Sequence, residues 1–422
     1  MILLDLINKQ LWCIAIVLII VNSVYFSIKL KFPQFKIFKS IKEIFVIKES
    51  KNISPRDTLI MALSSKIGVG SLSGMALCIY YGGIGTIFWM YISTIFLSII
   101  NYIENTLAII YKENNKNESL SGPYFYINKG LNKKKLSIVY AVIVLILYIT
   151  LFSSIQNNTI VTLSTSIFNI NKIVLSSVIS IITGIIIFKG INSISNICNK
   201  VFPVMIIIFI TVGLLIIIKN ITIIPETILM IIKEAFKKQS LNGGIIYTII
   251  VSFQRSIFAN ESGVGTSAII SGATTSNNYK LQAKIGLIQT YFINLIILGI
   301  TSIIIVTSKI NINNLNNGIE ITKQAFNYHL GLFGDIILFI IIFLFSFSTI
   351  ITIYYYGESS LKYLTNNPKT KILKIINMVS IFFGGIINGK TIWSYIDILI
   401  ALLTIINMYT IYKLRKVLLK KL

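Results

Sequence analysis

Long apolar stretches recur along the whole of this 422-residue chain, each about as long as a bilayer is thick, and no other feature limits its fold so tightly. A hydrocarbon core about 30 Å thick needs roughly 20 apolar residues per helix. Eleven segments reach that length, at about 11–31, 55–81, 83–112, 136–166, 172–190, 198–219, 243–273, 282–308, 333–358, 371–388 and 391–413. The expected fold is an all-α polytopic membrane protein with eleven transmembrane helices.

Composition agrees. Hydrophobic residues make up 55% of the chain and charged residues 12%, with a mean hydropathy of +0.82, whereas a water-soluble protein of this size needs more polar surface. A net charge of +24 would suggest nucleic acid in a soluble protein. Here Lys and Arg lie mostly between apolar runs, where they set orientation, so no nucleic-acid partner is expected. The first run, from about Leu11 to Leu30, is too long for an ordinary signal peptide and lacks a small-residue cleavage site, and it reads as a retained helix.

Basic residues accumulate on the cytoplasmic side. An external N-terminus places the loops Lys36 to Arg56, Lys112 to Lys135, Lys280 with Lys284, Lys362 to Lys374, and the tail Lys413 to Lys421 inside. The C-terminus is then cytoplasmic, and Lys66 and Arg255 fall within the membrane. The expected location is the cell (inner) membrane, crossed many times.

Two of the eleven segments are interrupted, by Gly68-Val69-Gly70 and by Gly263-Val264-Gly265. Setting the first helix aside leaves ten, in two sets of five that each begin with an interrupted segment. Five is odd, so the sets run in opposite directions. The stretch "IGVGSLSG" from Ile67 matches "SGVGTSAIISG" from Ser262. Inverted repeats with broken first helices mark secondary transporters that bind substrate and ion at the breaks. The resulting division is 1–53 (N-terminal helix and loop), 54–219 (first repeat), 220–242 (external connection), 243–413 (second repeat) and 414–422 (basic tail).

Breaking a helix in hydrocarbon costs several kcal/mol per unsatisfied backbone group, so a break implies that protein, water or ligand replaces the lost partners. Amides of Val69, Gly70 and Ser71 at the start of a half-helix suit a carboxylate. Carbonyls of Ser64 and Ile67 at the end of the preceding one are free for a cation. At the second break, Phe258, Asn260, Glu261 and Gly263 offer unwound backbone for a substrate ammonium and side chains that close a small pocket. Close helix packing through small residues is the plainer explanation of Gly and Ser in one segment; the duplication favours a site.

Lys66 and Glu261 stand two residues before their respective Gly-Val-Gly and carry opposite charges. They are expected to meet, directly or through water, either as a contact that changes during transport or as a static tie. Intramembrane Lys66, Glu104, Arg255, Glu261, Glu358 and Asp397 each need a partner or water. Trp89, Trp393 and Tyr354 to Tyr356 read as interface anchors and packing residues. Cys13, Cys78 and Cys198 are scattered and His329 is the only histidine, so there is no metal-ligand spacing or Cys–His nucleophile pair. With no phosphate-binding loop and no selectivity-filter repeat either, neither an enzyme nor a channel is indicated, and no cofactor is expected.

Six stretches stand in an order shared with one known family: "SSKIGVGSLSGMALCIYYGGIGTIFWM" from Ser64, "NYIENTLAIIYKE" from Asn101, "SGPYFYINKGL" from Ser121, "QRSIFANESGVGTS" from Gln254, "FSFSTIITIYYYGESSLKYL" from Phe345 and "WSYIDILIALLTIIN" from Trp393. From Ser54 to about Asn407 the chain resembles the alanine or glycine:cation symporters. That resemblance implies a leucine-transporter-type fold with one added N-terminal helix, and sodium-driven uptake of a small neutral amino acid. Proton coupling, or another small amino acid or related zwitterion, is the alternative. Ser348 and Thr349 match a family Thr-Thr and imply hydroxyl ligands for sodium beside Ser64 and Ile67. Gln156 matches a family glutamine and is a candidate for the pocket lining. Glu104 and Asp397 match family acids, for which structural roles are expected. The chain departs from the family in four places. Ser71 replaces the Asn of Gly-Thr/Ser-Gly-Asn, Ala259 to Gly263 replace Ser-Asn-Glu-Ala-Gly, Asn294 replaces an aspartate, and Ile84 replaces the proline of Gly-Gly-Pro-Gly.

Overall fold

The computed structural model describes residues 2–37, 40–41, 53–114, 118–237, 244–311, 315, 317–366 and 368–422. Parts of the expected loop Lys36 to Arg56 and of the connection 220–242 lie outside the described residues. The chain is a helical bundle, with one two-stranded antiparallel ladder of Glu113–Asn114 and Ser119–Leu120. Among the described residues, seven helices are long and apolar enough to cross a membrane: Leu6–Lys29 within α1 (Ile2–Lys29), α4 (Thr86–Ile110), α6 (Lys134–Phe168), α8 (Ile191–Lys219), α12 (Tyr279–Thr307), α14 (Leu332–Leu364), and Thr391–Lys413 within α16 (Gly389–Lys413). The bent pair α2 (Pro55–Lys66) and α3 (Val69–Gly82) makes an eighth if the two are taken as one span. The remaining predicted segments hold shorter helices: α7 (Lys172–Ile187), α10 (Gly244–Asn260) with α11 (Ser267–Gly272), and α15 (Thr370–Ile386). Between them lie α5 (Pro123–Leu131), α9 (Ile224–Ala235) and α13 (Gly318–Leu330), and α17 (Arg415–Lys421) follows α16.

Local chemistry explains the first break. Helix α2 opens on a capping box, in which Ser54 Oγ accepts from Asp57 N and the Asp57 carboxylate accepts from Ser54 N, with Pro55 in the first turn. It ends where Ile67 leaves helical dihedrals at φ −83°, ψ 77°; Gly68 follows in an extended conformation, and α3 continues at an angle of 44°. At the second break Gly263 and Gly265 take φ of +96° and +95°, and Glu261 takes +54°. The glycines adopt this region without strain, whereas the glutamate must be held there by its surroundings.

The bundle closes by packing α4 on α12, α15 on α6 and α7, α1 on α16 and α4, and α10 on α3 and α4. Two short helices brace the broken ones. Helix α13 lies on α3, with Thr322 Oγ1 donating to Leu72 O at 3.3 Å. The turn that leads into α5 lies against α11, where Gly272 faces Ser121 and Gly122 faces Ile269. Two long helices carry a π turn, Leu147–Phe152 in α6 and Phe292–Ile297 in α12. Such turns recur at functional sites because the extra residue re-aims side chains, and both of these point into the region of the breaks.

Candidate functional site

At the first break two backbone carbonyls, of Ser64 and Ile67, converge on one hydroxyl, which also bonds back to Phe345 O on its own helix. Thr349 Oγ1 lies 3.0 Å from Ser64 O, 3.3 Å from Ile67 O and 2.8 Å from Phe345 O, and its residue is fully buried. A hydroxyl has one proton, so it satisfies only one of the three acceptors. The carbonyl oxygens and the hydroxyl's own lone pairs are hard oxygens of the kind that small cations take as ligands. Ser348 sits differently: its Oγ donates to Phe345 O at 3.0 Å on its own helix and lies 3.5 Å from Met205 Sδ.

Gln156, on α6, reaches the same break, where its Oε1 accepts from Val69 N at 3.0 Å. The amide expected for a ligand carboxylate is therefore held by a side chain here. A Cβ at Gly68 would stand 2.6 Å from Gln156 Oε1 and 2.7 Å from Thr349 Oγ1, and one at Gly70 would stand 2.8 Å from the Phe258 ring. Glycine is needed at both positions for this approach. Ser71 Oγ is buried without a partner, and Ser71 N donates to Gly68 O at 3.1 Å. Phe258 stacks on Phe152 with ring centres 5.2 Å apart and packs on Trp393 at 4.6 Å. Trp393 thus stands over the site, beside Gly74. Its packing on Phe258 agrees with the packing role expected of it.

The second break is wrapped in side-chain bonds. The Glu261 carboxylate accepts from Tyr148 (3.1 Å), Thr266 (2.8 Å) and Tyr356 (3.0 Å), and the Tyr356 hydroxyl also meets Ser65 Oγ at 2.9 Å. Tyr356 therefore ties α2 to the second break rather than serving as plain packing. Lys66 Nζ donates to Ser267 Oγ (2.5 Å) and Gln289 Oε1 (2.9 Å). Lys66 and Glu261 are near enough to act on each other electrostatically, but each has its own hydrogen-bond set and no direct ion pair joins them. Asn260 accepts from Ser262 N and donates to Asn294 Oδ1 at 2.9 Å, and Asn294 in turn donates to Thr94 Oγ1 at 3.0 Å.

The peptide of Gly263 is held from both sides. Its N–H donates to Glu104 Oε1 at 2.9 Å and its carbonyl accepts from Asn407 at 2.9 Å; Asn407 also donates to Glu104 Oε1 at 2.7 Å and accepts from Tyr126 at 2.5 Å. Tyr140 donates to the Val264 carbonyl. Between Trp393 and α10, Arg255 and Asp397 form a buried ion pair at 2.7 Å, with the guanidinium 5.3 Å from the Trp393 ring centre. Sequence reasoning saw that each charge needed a partner but missed the pairing, since their separation along the chain carries no signal of contact.

Two broken helices facing each other, a cluster of backbone and hydroxyl oxygens at one and a carboxylate wrapped in hydroxyls at the other, inside a bundle of apolar helices, point to a multi-pass membrane transport protein. The sequence profile of the sodium:alanine symporter family matches residues 1–422, and the chain belongs to that family of transporters, which are not enzymes. It is similar to the "Probable sodium/glutamine symporter GlnT" of Bacillus subtilis (strain 168), 31% identical over 420 residues that cover 97% of this chain and 87% of the relative. The "Amino-acid carrier protein AlsT" of the same organism is 30% identical, covering 98% and 88%. The "Sodium/proton-dependent alanine carrier protein" of Bacillus sp. (strain PS3) is 29% identical over 386 residues, 86% of each chain.

Proposed function

We propose that the chain is a secondary symporter in which sodium influx drives uptake of a small neutral amino acid, alanine or glycine, by alternating access. The observation that carries this reading is the convergence of the Ser64 and Ile67 carbonyls on Thr349 Oγ1, next to the amide end of α3, where Gln156 holds Val69 N. Sodium sits among those oxygens. The substrate carboxylate takes the Val69, Gly70 and Ser71 end once Gln156 gives way, and its ammonium lies toward the backbone around Asn260, Glu261 and Gly263. Gly68 and Gly70 let Gln156 and Phe258 come close to the backbone of the break, which supports a small pocket, with Phe258 and Trp393 as the cover.

In the same reading the chain crosses the membrane eleven times, N-terminus outside and C-terminus cytoplasmic, as one helix followed by an inverted five-plus-five repeat from α2 to α8 and from α10 to α16. The matching places of α5 and α13, each between the second and third long helices of its half and each braced on a broken helix, support the repeat. Uptake by purified protein in liposomes tests the function. Labelled alanine, glycine, serine and glutamine are offered under imposed sodium or proton gradients, glutamine being the amino acid in one relative's name. Sodium-driven accumulation of alanine or glycine is expected; accumulation driven by protons and not by sodium overturns the reading.

A further inference from the structure

The buried charges around the second break do not balance. Lys66, Glu104 and Glu261 are all at most 4% exposed, which sets two acids against one base. Lys66 has two acceptors and Glu261 three hydroxyl donors, so each is equipped to hold its charge. Glu104 is not. Its Oε1 accepts from Gly263 N–H and Asn407, while its Oε2 is buried without a partner. An ionised Glu104 would be an extra buried negative charge with one oxygen lacking a protein partner, which a low-dielectric interior disfavours. A proton on Oε2 leaves only a neutral hydroxyl unpaired, which is the smaller penalty.

Glu104 also grips a movable element. Through Oε1 and Asn407 it clamps the Gly263 peptide at φ +96°. Hydrogen bonds to an ionised carboxylate are about twice as strong as those to a neutral one, so the charge on Glu104 and the geometry of the break are linked.

We propose that Glu104 is a proton-carrying group of this transporter: it holds a proton in the conformation seen here and exchanges it with water as the second break rearranges. The carboxylate takes the proton from hydronium on one side and returns it to water on the other, with no further reactant. The titratable groups whose charges bear on Glu104 or feel it are Lys66 at the end of α2, Glu261 after α10, Tyr126 on α5 and Tyr140 on α6, while α16 presents the uncharged Asn407.

The transport half of this proposal rests on the symport reading, so the test has two arms. In the first, infrared difference spectra of wild type minus Glu104→Gln in liposomes at pH 7 are expected to show a protonated-carboxyl band. That band should change amplitude between sodium-loaded and sodium-free protein; absence of the band, or a band insensitive to sodium, overturns the proposal without any transport measurement. In the second, substrate counterflow in the wild type should change about tenfold per pH unit on the flank of the titration, as one-proton linkage requires. In Glu104→Gln it should vary by less than about twofold, and a variant that keeps the wild-type pH profile overturns the proposal. Should Glu104→Gln fail to fold, Glu104→Asp must keep both band and pH dependence with a displaced midpoint, and an undisplaced profile counts against Glu104. If the wild type moves none of the amino acids offered, the symport reading fails and the infrared arm still decides on the proton.

Discussion

Replacing Thr349 by alanine removes one oxygen from the proposed cation set and leaves the carbonyls of Ser64, Ile67 and Phe345 in place. In the wild type that oxygen lies 2.8 to 3.3 Å from all three, so an ion bound among the carbonyls also touches the hydroxyl. A hydrogen-bond-strength contact to a charged group contributes about 1.5–3 kcal/mol, which at about 1.4 kcal/mol per tenfold corresponds to an apparent sodium affinity weakened about 10- to 150-fold. Ser348→Ala is the internal comparison. Its hydroxyl already bonds Phe345 O and faces Met205, so its removal should weaken sodium binding about threefold or less, on the scale of a substitution away from the site. The assay is the rise of Tm with sodium in detergent, choline replacing sodium at constant ionic strength, because a ligand that binds only the folded state raises stability with its concentration. No amino acid is needed, so the result stands apart from substrate identity. A Thr349→Ala protein with the wild-type sodium dependence, or a larger effect from Ser348→Ala, refutes the placement of the ion.

Other consequences follow from the packing. Arg255→Met should strand the buried Asp397 carboxylate and destabilise the protein by about 3–5 kcal/mol, while the double variant Arg255→Met with Asp397→Leu should recover most of that loss, both read from denaturation in detergent. Gly286→Ala would place a Cβ 2.5 Å from the Asn101 carbonyl oxygen, a backbone atom that cannot swing aside, so α12 must move off α4; a loss of about 1–3 kcal/mol is expected in the same measurement. His329, on α13, is held neutral: burial pushes its pKa below the ordinary value and Lys219 adds to that, against the bond to Ile304 O. Because the unfolded chain binds the proton more readily, this contribution is full above about pH 6.5 and is lost as pH falls below it. Tm should therefore drop between pH 7 and pH 5 in the wild type, and a His329→Asn protein should lack that part of the drop.

Much of the site could be read along the chain because it depends on backbone. A membrane helix can be opened only where glycine permits it and where other groups replace its hydrogen bonds, so "GVG" within an apolar run marks a break without any knowledge of what surrounds it. The carbonyls of Ser64 and Ile67 and the amides of Val69 to Ser71 follow from that alone, and the repetition at Gly263 placed a second break opposite the first. Side-chain partners were another matter. Tyr148 and Asn294 reach the breaks through π turns, which have no pattern distinct from ordinary helix. Tyr356, the middle residue of a Tyr-Tyr-Tyr run, bonds Glu261, whereas the hydroxyls of Tyr354 and Tyr355 have no partner. Helical phase against the neighbouring helices makes that difference, and a run of three identical residues cannot reveal phase.

What the sequence determined by itself, then, is the solvent and the breaks: apolar length requires a bilayer, and bilayer chemistry requires a reason for every interruption. Tertiary structure alone decided which charges meet. Lys66 and Glu261, opposite in sign and equivalent in position, do not pair directly, because hydroxyls from α11 and α14 and an amide from α12 reach them first; Arg255 instead finds Asp397 at 2.7 Å. Coulomb attraction in a low-dielectric interior is strong but not selective, so the pairing is set by which helices stand side by side, and that is a property of the packed bundle.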